Sequence, residues 1–393
     1  MDLRSSPALA LISALALSCG APTPSPSGCP SSSPTARLWV STSDYASGHL
    51  CSLATESSCV QSELDTLTGD SILFAHGSRI VSLDYVRGSV DQIRVYRPLD
   101  GGRVMFEGSS QAIRAQGEAT ANARAYLPID ARRALFSRND YSSLGVFDVE
   151  ARAVVGHVAL DDFKAGSIRA APSTIVADGA RAFVTLQRWD GAALSAPRNA
   201  AIAVVDTTTL AVMDAAPATP SVDAIELPLA NPFGQSSLRE HALLIPCAGS
   251  LQRVGDGGVV RVDTATMQVT GTFADETTLG GNPLHALWLD ADRVLLVVMT
   301  EPALDREMSV GSTRLVEWSL SSNRVTKTWI EVPEYSLTAP VLGVDGRVYI
   351  GDRGRLMPAR ASGVVAFDAR TGERLSANPI AMGLPPYSLL AAR

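Results

Sequence analysis

The sequence predicts an all-β domain assembled from one four-stranded unit used repeatedly. Three observations predict it. From residue 37 onward there is no long amphipathic helical pattern; short runs rich in Val, Ile, Leu and Thr alternate with turns of Asp, Gly, Ser and Pro. One hairpin recurs, seen as SLGVFDVEARAVVGHV at 143–158, AIAVVDTTTLAVMDA at 201–215, GGVVRVDTATMQVTGTF at 257–273 and GVVAFDARTGERLSA at 363–377. Each copy follows an apolar run, a turn containing Arg and a second apolar run, at a period of about fifty to sixty residues, the length of four strands with their loops.

The hairpin at 257–273 shows the local chemistry. Val259, Val260 and Val262 supply β-branched residues, Asp263 to Thr266 turn the chain, and Met267, Val269 and Thr272 carry the return strand. The equivalent turns fall at Arg97, Asp148, Asp206, Asp263, Ser319 and Asp368. Unit two runs from SILFAHGSRIVSLDY to DQIRVYRPLDGGRVMFEG and unit three from RAYLPIDARRALFSRNDY to the hairpin at 143–158. Unit four begins STIVADGARAFVTLQRWD, unit five is the less regular SSLREHALLIPC, unit six is LHALWLDADRVLLVVMTE with STRLVEWSLSSNRVTKTW, and unit seven opens TAPVLGVDGRVYIGDRG. Unit one starts at its second strand, ARLWVSTSDY, and lacks a first. The C-terminus offers a spare strand at Tyr387–Ala391. If that strand completes unit one, the ring closes and no edge stays open, whereas an open array would need caps that the sequence does not show. The prediction is therefore a closed β-propeller of seven four-stranded blades over residues 37–393; unit five leaves six or eight open.

Apolar-DGxRxYV strands followed by VxVxDxxTxxVxxxI hairpins resemble the YVTN-type β-propeller repeats of extracytoplasmic bacterial and archaeal proteins. No unit carries the full tetrapeptide; AFVT at 182–185 and VYIG at 348–351 come nearest. The resemblance implies the fold and leaves function open, because such propellers bind proteins, glycans or small molecules and some are enzymes.

The N-terminus reads as a targeting segment. Arg4 precedes an apolar run, Pro7–Leu17, too short to span a bilayer. It ends in Ala16-Leu17-Ser18-Cys19-Gly20, which resembles the lipobox of bacterial lipoproteins, with Ala16 where Leu is usual; an ordinary secretory signal is the alternative. The resemblance implies a signal peptide at 1–18 and lipidation of Cys19. The absence of Asp after Cys19 favours the outer membrane or cell surface over the inner membrane. Residues 19–36, rich in Pro, Ser and Thr, are expected to be a disordered tether. In an oxidising compartment Cys51 and Cys59 are expected to bridge a short hairpin, and Cys247 to be a buried thiol; Cys29 has no evident partner.

A net charge of −7 and a pI near 5.3 argue against a nucleic-acid partner, since no basic field replaces phosphate counterions. No HExxH occurs and no GxSxG joins an ordered Asp and His, so no catalytic residue is nominated. Trp288, Trp318 and Trp329 lie in strands and read as core. Asp-Tyr recurs at Asp44, Asp84 and Asp140, with Asp190, Glu301 and Asp352 at similar places in later units. These carboxylates either start turns or ring the channel mouth, where they could hold Ca²⁺ or a cationic ligand. Three long loops, 187–200, 299–313 and 351–362, bring Arg188, Trp189, Asp190, Arg306, Asp352, Arg353, Arg355 and Arg360. They could form an Arg/aromatic surface for a protein or an anionic glycan. The favoured expectation is a monomeric, membrane-anchored extracytoplasmic module that binds or scaffolds a protein or polysaccharide. The alternative is a propeller enzyme (lactonase, glycan lyase or quinoprotein-like dehydrogenase) acting at the central channel.

Overall fold

The computed structural model describes residues 37–391 apart from 86–90, 111–112, 115–119, 190–195, 197, 252–253, 301–310 and 355–359. Its strands form seven antiparallel sheets, one per predicted unit, arranged as a propeller. From the channel outward, blade 1 is Pro386–Ala391, Arg37–Ser43, Gly48–Ala54 and Cys59–Leu67, so the last strand closes the ring against the first. Blade 2 is Asp70–His76, Arg79–Tyr85, Gln92–Pro98 and Val104–Ser109; blade 3 is Tyr126–Pro128, Arg133–Arg138, Ser143–Asp148 and Ala153–Ala159. Blade 4 is Pro172–Asp178, Arg181–Leu186, Ala201–Asp206 and Val212–Met213, with Ile225–Glu226 also paired to its third strand. Blade 5 is Ser237–Arg239, Ala242–Cys247, Gly258–Asp263 and Gln268–Phe273; blade 6 is Gly281–Trp288, Arg293–Thr300, Ser312–Ser319 and Arg324–Pro333. Blade 7 has three strands, Val341–Leu342, Arg347–Asp352 and Gly363–Asp368. Isolated bridges, Phe367 to Arg374 and Val364 to Ile380, stand where its fourth would be. Among the described residues the one α-helical turn, Glu276–Leu279, is capped by Asp275.

The middle strands read as continuous apolar runs because both faces of each blade are covered. In the third strand of blade 4, Ala201, Ala203 and Val205 pack toward blade 3 with Leu135 and Leu144, while Ile202 and Val204 pack toward blade 5 with Ile245 and Val260. Equivalent clusters fill all seven gaps between blades, including that between blades 7 and 1, where Leu38, Val40 and Leu389 meet Tyr349 and Val364. Each fully buried Val, Leu or Phe contributes about 1.5–3 kcal/mol, so the ring is held by apolar seams. Trp288, Trp318 and Trp329 lie in these seams, as expected.

The recurrent Asp of the hairpin is a turn former. Asp148, Asp206 and Asp368 each accept two backbone N–H groups from the next three residues, and Asp263 accepts that of Thr266. Bonds to the charged form hold the Asp206, Asp263 and Asp368 carboxyls below the usual range. Met267 lies in the turn, at φ 57°, and the return strand starts one residue later.

Two cysteine expectations change. Cys51 is a free, buried thiol in the second-to-third strand ladder of blade 1, so it does not pair with Cys59. Its register partner is Val40, and its sulfur lies 4.0 Å from the Thr42 hydroxyl. Cys59 is disulfide-bonded to a partner outside the described residues. Cys247 is buried and free, as read from its apolar strand. Cys19, Cys29 and the tether lie outside the described residues.

Candidate functional site at the channel mouth

Loops between second and third strands, and the connections between blades, emerge on one face of the ring. The innermost strands also begin there. On this face, around the start of blades 1 and 7, Tyr45, Tyr387 and Arg353 come together, with Tyr335 and Arg124 within electrostatic range. The Arg353 guanidinium lies 4.2 Å from the centre of the Tyr45 ring and 5.0 Å from that of Tyr387. Tyr335 joins them: its hydroxyl interacts electrostatically with Tyr45, Arg353 and Arg124. Tyr387 in turn interacts with Tyr335, Tyr45 and Asp70.

Each member is fixed by its own stretch of chain. Asp44 turns the blade 1 loop by accepting the N–H groups of Ala46 and Ser47, and Ser43 accepts that of Tyr45. Tyr45 has φ 70°, a left-handed conformation that costs a side-chain-bearing residue about 1 kcal/mol, and it stays 67% exposed. Gly69 is needed beside it, because a Cβ there would meet the Tyr45 carbonyl oxygen at 2.7 Å. Tyr335 sits between Glu334, at φ 64°, and Ser336, whose carbonyl accepts the Arg353 N–H at 2.8 Å. Tyr387 is the second residue of the closing strand, and Arg124 precedes the first strand of blade 3.

The electrostatics leave Arg353 open. Its neighbour Asp352 is buried and ion-paired to Arg360, which also donates to Ser336. Among the described residues Arg353 has no carboxylate partner; two aromatic faces hold it instead. A guanidinium stacked on rings keeps its in-plane N–H donors for a carboxylate or phosphate. Tyr335 keeps 39% of its surface exposed, yet the protein around its hydroxyl raises its pKa. Burial first, then Asp70 and Tyr335, raise that of Tyr387 as well. Both phenols are therefore neutral donors at ordinary pH.

The other nominated residues are placed as follows. Arg188 turns inward: it donates to both Glu226 carboxylate oxygens at 2.7 Å and to the carbonyls of Phe163 and Asn199. It clamps the base of its loop and does not contribute to a contact surface. Trp189 is half-buried beside it; Asp190, Glu301, Arg306 and Arg355 lie outside the described residues. The carboxylates of Asp44, Asp84 and Asp140 do not converge. Asp84 is buried against Ser71, Ser82 and Arg94, and burial raises its pKa. Asp140 bonds Thr120, Asn122 and Arg169. No group of three or more His, Cys, Asp or Glu that could hold a metal occurs among the described residues. Arg124, Tyr335 and Tyr387 were missed in the sequence, although Pro385-Pro386 marks the start of the strand that carries Tyr387.

Beside the mouth, amides stitch blades together: Asn139 donates to Gln187, Gln187 to Asn231 and Asn231 to the Gly249 carbonyl. His76 joins the same kind of seam, its Nδ1 lying 2.7 Å from the Tyr126 hydroxyl between blades 2 and 3. Two grooves open elsewhere. One, of about 480 Å³, is lined by Glu240, His241, Arg261 and Asp263 of blade 5 and by Asn323 of blade 6. The other, of about 270 Å³, lies between blades 7 and 1. Both border turns of the opposite face. The larger mixes acidic and basic groups, and its His241 is held by Asp178 at 2.7 Å, so neither groove concentrates one kind of chemistry as the mouth does.

No family model matches the chain, and no curated protein is similar to it. Solved structures are similar in fold. Two proteins described as putative 6-phosphogluconolactonases, from Bacteroides fragilis and Bacteroides uniformis, each superpose with a TM-score of 0.59 at 10% identity, over 91% of this chain and 98% and 99% of theirs. A functionally unknown protein from Desulfotomaculum acetoxidans gives 0.55 at 8% identity, over 91% of this chain and 99% of its own. Identities this low show the propeller fold alone.

Proposed function

We propose that this protein is a binding module that takes its ligand at the channel mouth, and that it works outside the cytoplasm, tethered to a membrane by a lipid on Cys19. One observation carries the binding role: Arg353 is held between Tyr45 and Tyr387 on an open face, with no carboxylate partner among the described residues. A cation kept this way serves an incoming anion better than it serves the fold, because cation–π contacts of about 0.5–2 kcal/mol leave its hydrogen-bond donors free. The targeting segment supports the address. The runner-up is a propeller enzyme at the same mouth, and the fold of the two Bacteroides proteins is what supports that reading. The deciding experiment is co-purification of the tethered protein from membranes, comparing wild type with Arg353→Ala and Tyr45→Ala. The binding reading expects a partner enriched with wild type, reduced at least tenfold with Arg353→Ala and several-fold with Tyr45→Ala. Equal recovery with all three proteins would remove the mouth as the binding site.

A further inference from the structure

Resting on the reading of the mouth as the binding site, we propose that its ligand is an acidic polysaccharide, recognised through the carboxylate of a uronic-acid unit seated on Arg353, with a sugar ring against the exposed aromatics. Three features of the cluster point to this chemistry. The first is the geometry of the cation. Tyr45 and Tyr387 hold the guanidinium carbon 4.2 Å and 5.0 Å from their ring centres, and a guanidinium so held takes a planar carboxylate with two parallel hydrogen bonds where an ammonium would act as a point charge.

The second is the exposed aromatic surface. Tyr45 is 67% exposed and Tyr335 39%. Tyrosine rings offer an apolar face to the C–H side of a pyranose, and their hydroxyls bond its hydroxyl groups. Tyr45 adopts φ 70° with its backbone close against Gly69, and its ring lies exposed at the mouth. The third is shape and charge together. Arg353 from blade 7 supplies the cation at the mouth, and Arg124 from blade 3, which donates to Asn122, adds positive charge within electrostatic range of the Tyr335 hydroxyl. Of the described carboxylates, Asp70 bears on Tyr387, Asp44 is engaged in the turn that carries Tyr45, and Asp352 is paired to Arg360. Tyrosine and arginine also serve protein interfaces, so a protein partner is the outcome the test must separate. The described mouth offers phenols and a guanidinium group, the donors and apolar faces that a polyhydroxylated anion takes.

The test is calorimetric titration of the full chain with three hexasaccharides: oligogalacturonate, its methyl ester, and a sulfated heparin fragment. The proposal expects oligogalacturonate to bind, the methyl ester to bind at least tenfold more weakly, and the heparin fragment to be no better than oligogalacturonate. Arg353→Ala should lower oligogalacturonate affinity at least tenfold and Arg353→Lys should restore only part of it. Tyr45→Ala, at an exposed position that cannot collapse the core, should cost several-fold with an unchanged melting temperature. Equal binding of acid and ester, or full affinity in Arg353→Ala, overturns the proposal. So does tighter binding of heparin that vanishes with salt, which marks an unspecific anion site. If no saccharide binds but a membrane protein is still lost with Arg353→Ala, the glycan ligand is overturned and the mouth remains the binding site.

Discussion

Arg188 and Arg353 both lie just past the second strand of their blades, and they have opposite fates. Arg188 meets Glu226 and two carbonyls and is buried; Arg353 meets two tyrosine rings and stays open. Nothing local in the chain separates them, because Glu226 and Tyr45 come from other parts of the sequence. His285 makes a prediction at this scale. It lies on the innermost strand of blade 6, its Nδ1 accepts the Gln235 N–H, and burial lowers its pKa from 6.5 to about 4. The folded protein keeps the ring neutral where the unfolded chain protonates it, so the unfolded state binds more protons between those values. Stability must therefore fall as pH drops from about 6.5 toward 4, by about 2 kcal/mol from this residue between pH 7 and pH 5. Urea titrations at the two pH values should show that difference in the wild type and a smaller one in His285→Gln. An equal slope in both proteins would contradict the assignment.

At the scale of elements, the recurring hairpin was legible because its causes are local. β-Branched residues favour strands, and an Asp that accepts the next N–H groups starts the turn wherever it occurs. Less legible was the fourth strand of blade 7, where isolated bridges replace a ladder. The expected Cys51–Cys59 bridge failed for a geometric reason. Cys59 is paired in register with Ala54, while Cys51 lies three positions along the strand, inside the ladder and buried. The closing strand was inferred from a missing partner, and it supports a sharp expectation. A chain lacking 386–393 loses Leu389 from the seam between blades 7 and 1 and exposes the edge of Arg37–Ser43. It should be recovered as aggregate, or as a dye-binding species on gel filtration, and unfold at markedly lower urea. A monomeric truncated protein as stable as wild type would show that the ring does not need its clasp.

At the scale of the molecule, the address and the disulfide are linked by arithmetic. The chain has five cysteines; Cys51 and Cys247 are free and Cys59 is disulfide-bonded. If Cys19 carries lipid, Cys29 is the remaining partner for Cys59. Non-reducing peptide mapping should then recover a Cys29–Cys59 peptide, and a fatty-acid analogue should label the wild type but not Cys19→Ala. A Cys19–Cys59 peptide would refute the lipid anchor. The fold and the mouth differ in how far they could be read. Seven copies of one unit announce a ring, because each copy repeats the same local preferences and the same two apolar faces. The sequence by itself determined the all-β class, the repeated four-stranded unit, the closing strand and the turn role of its recurrent Asp residues; it favoured seven blades but left six or eight open, and the structure has seven. Only the tertiary structure decided which side chains meet at the mouth. Tyr45, Arg124, Tyr335, Arg353 and Tyr387 are spread over nearly the whole chain, and closure of the ring, rather than any local pattern, is what brings them together.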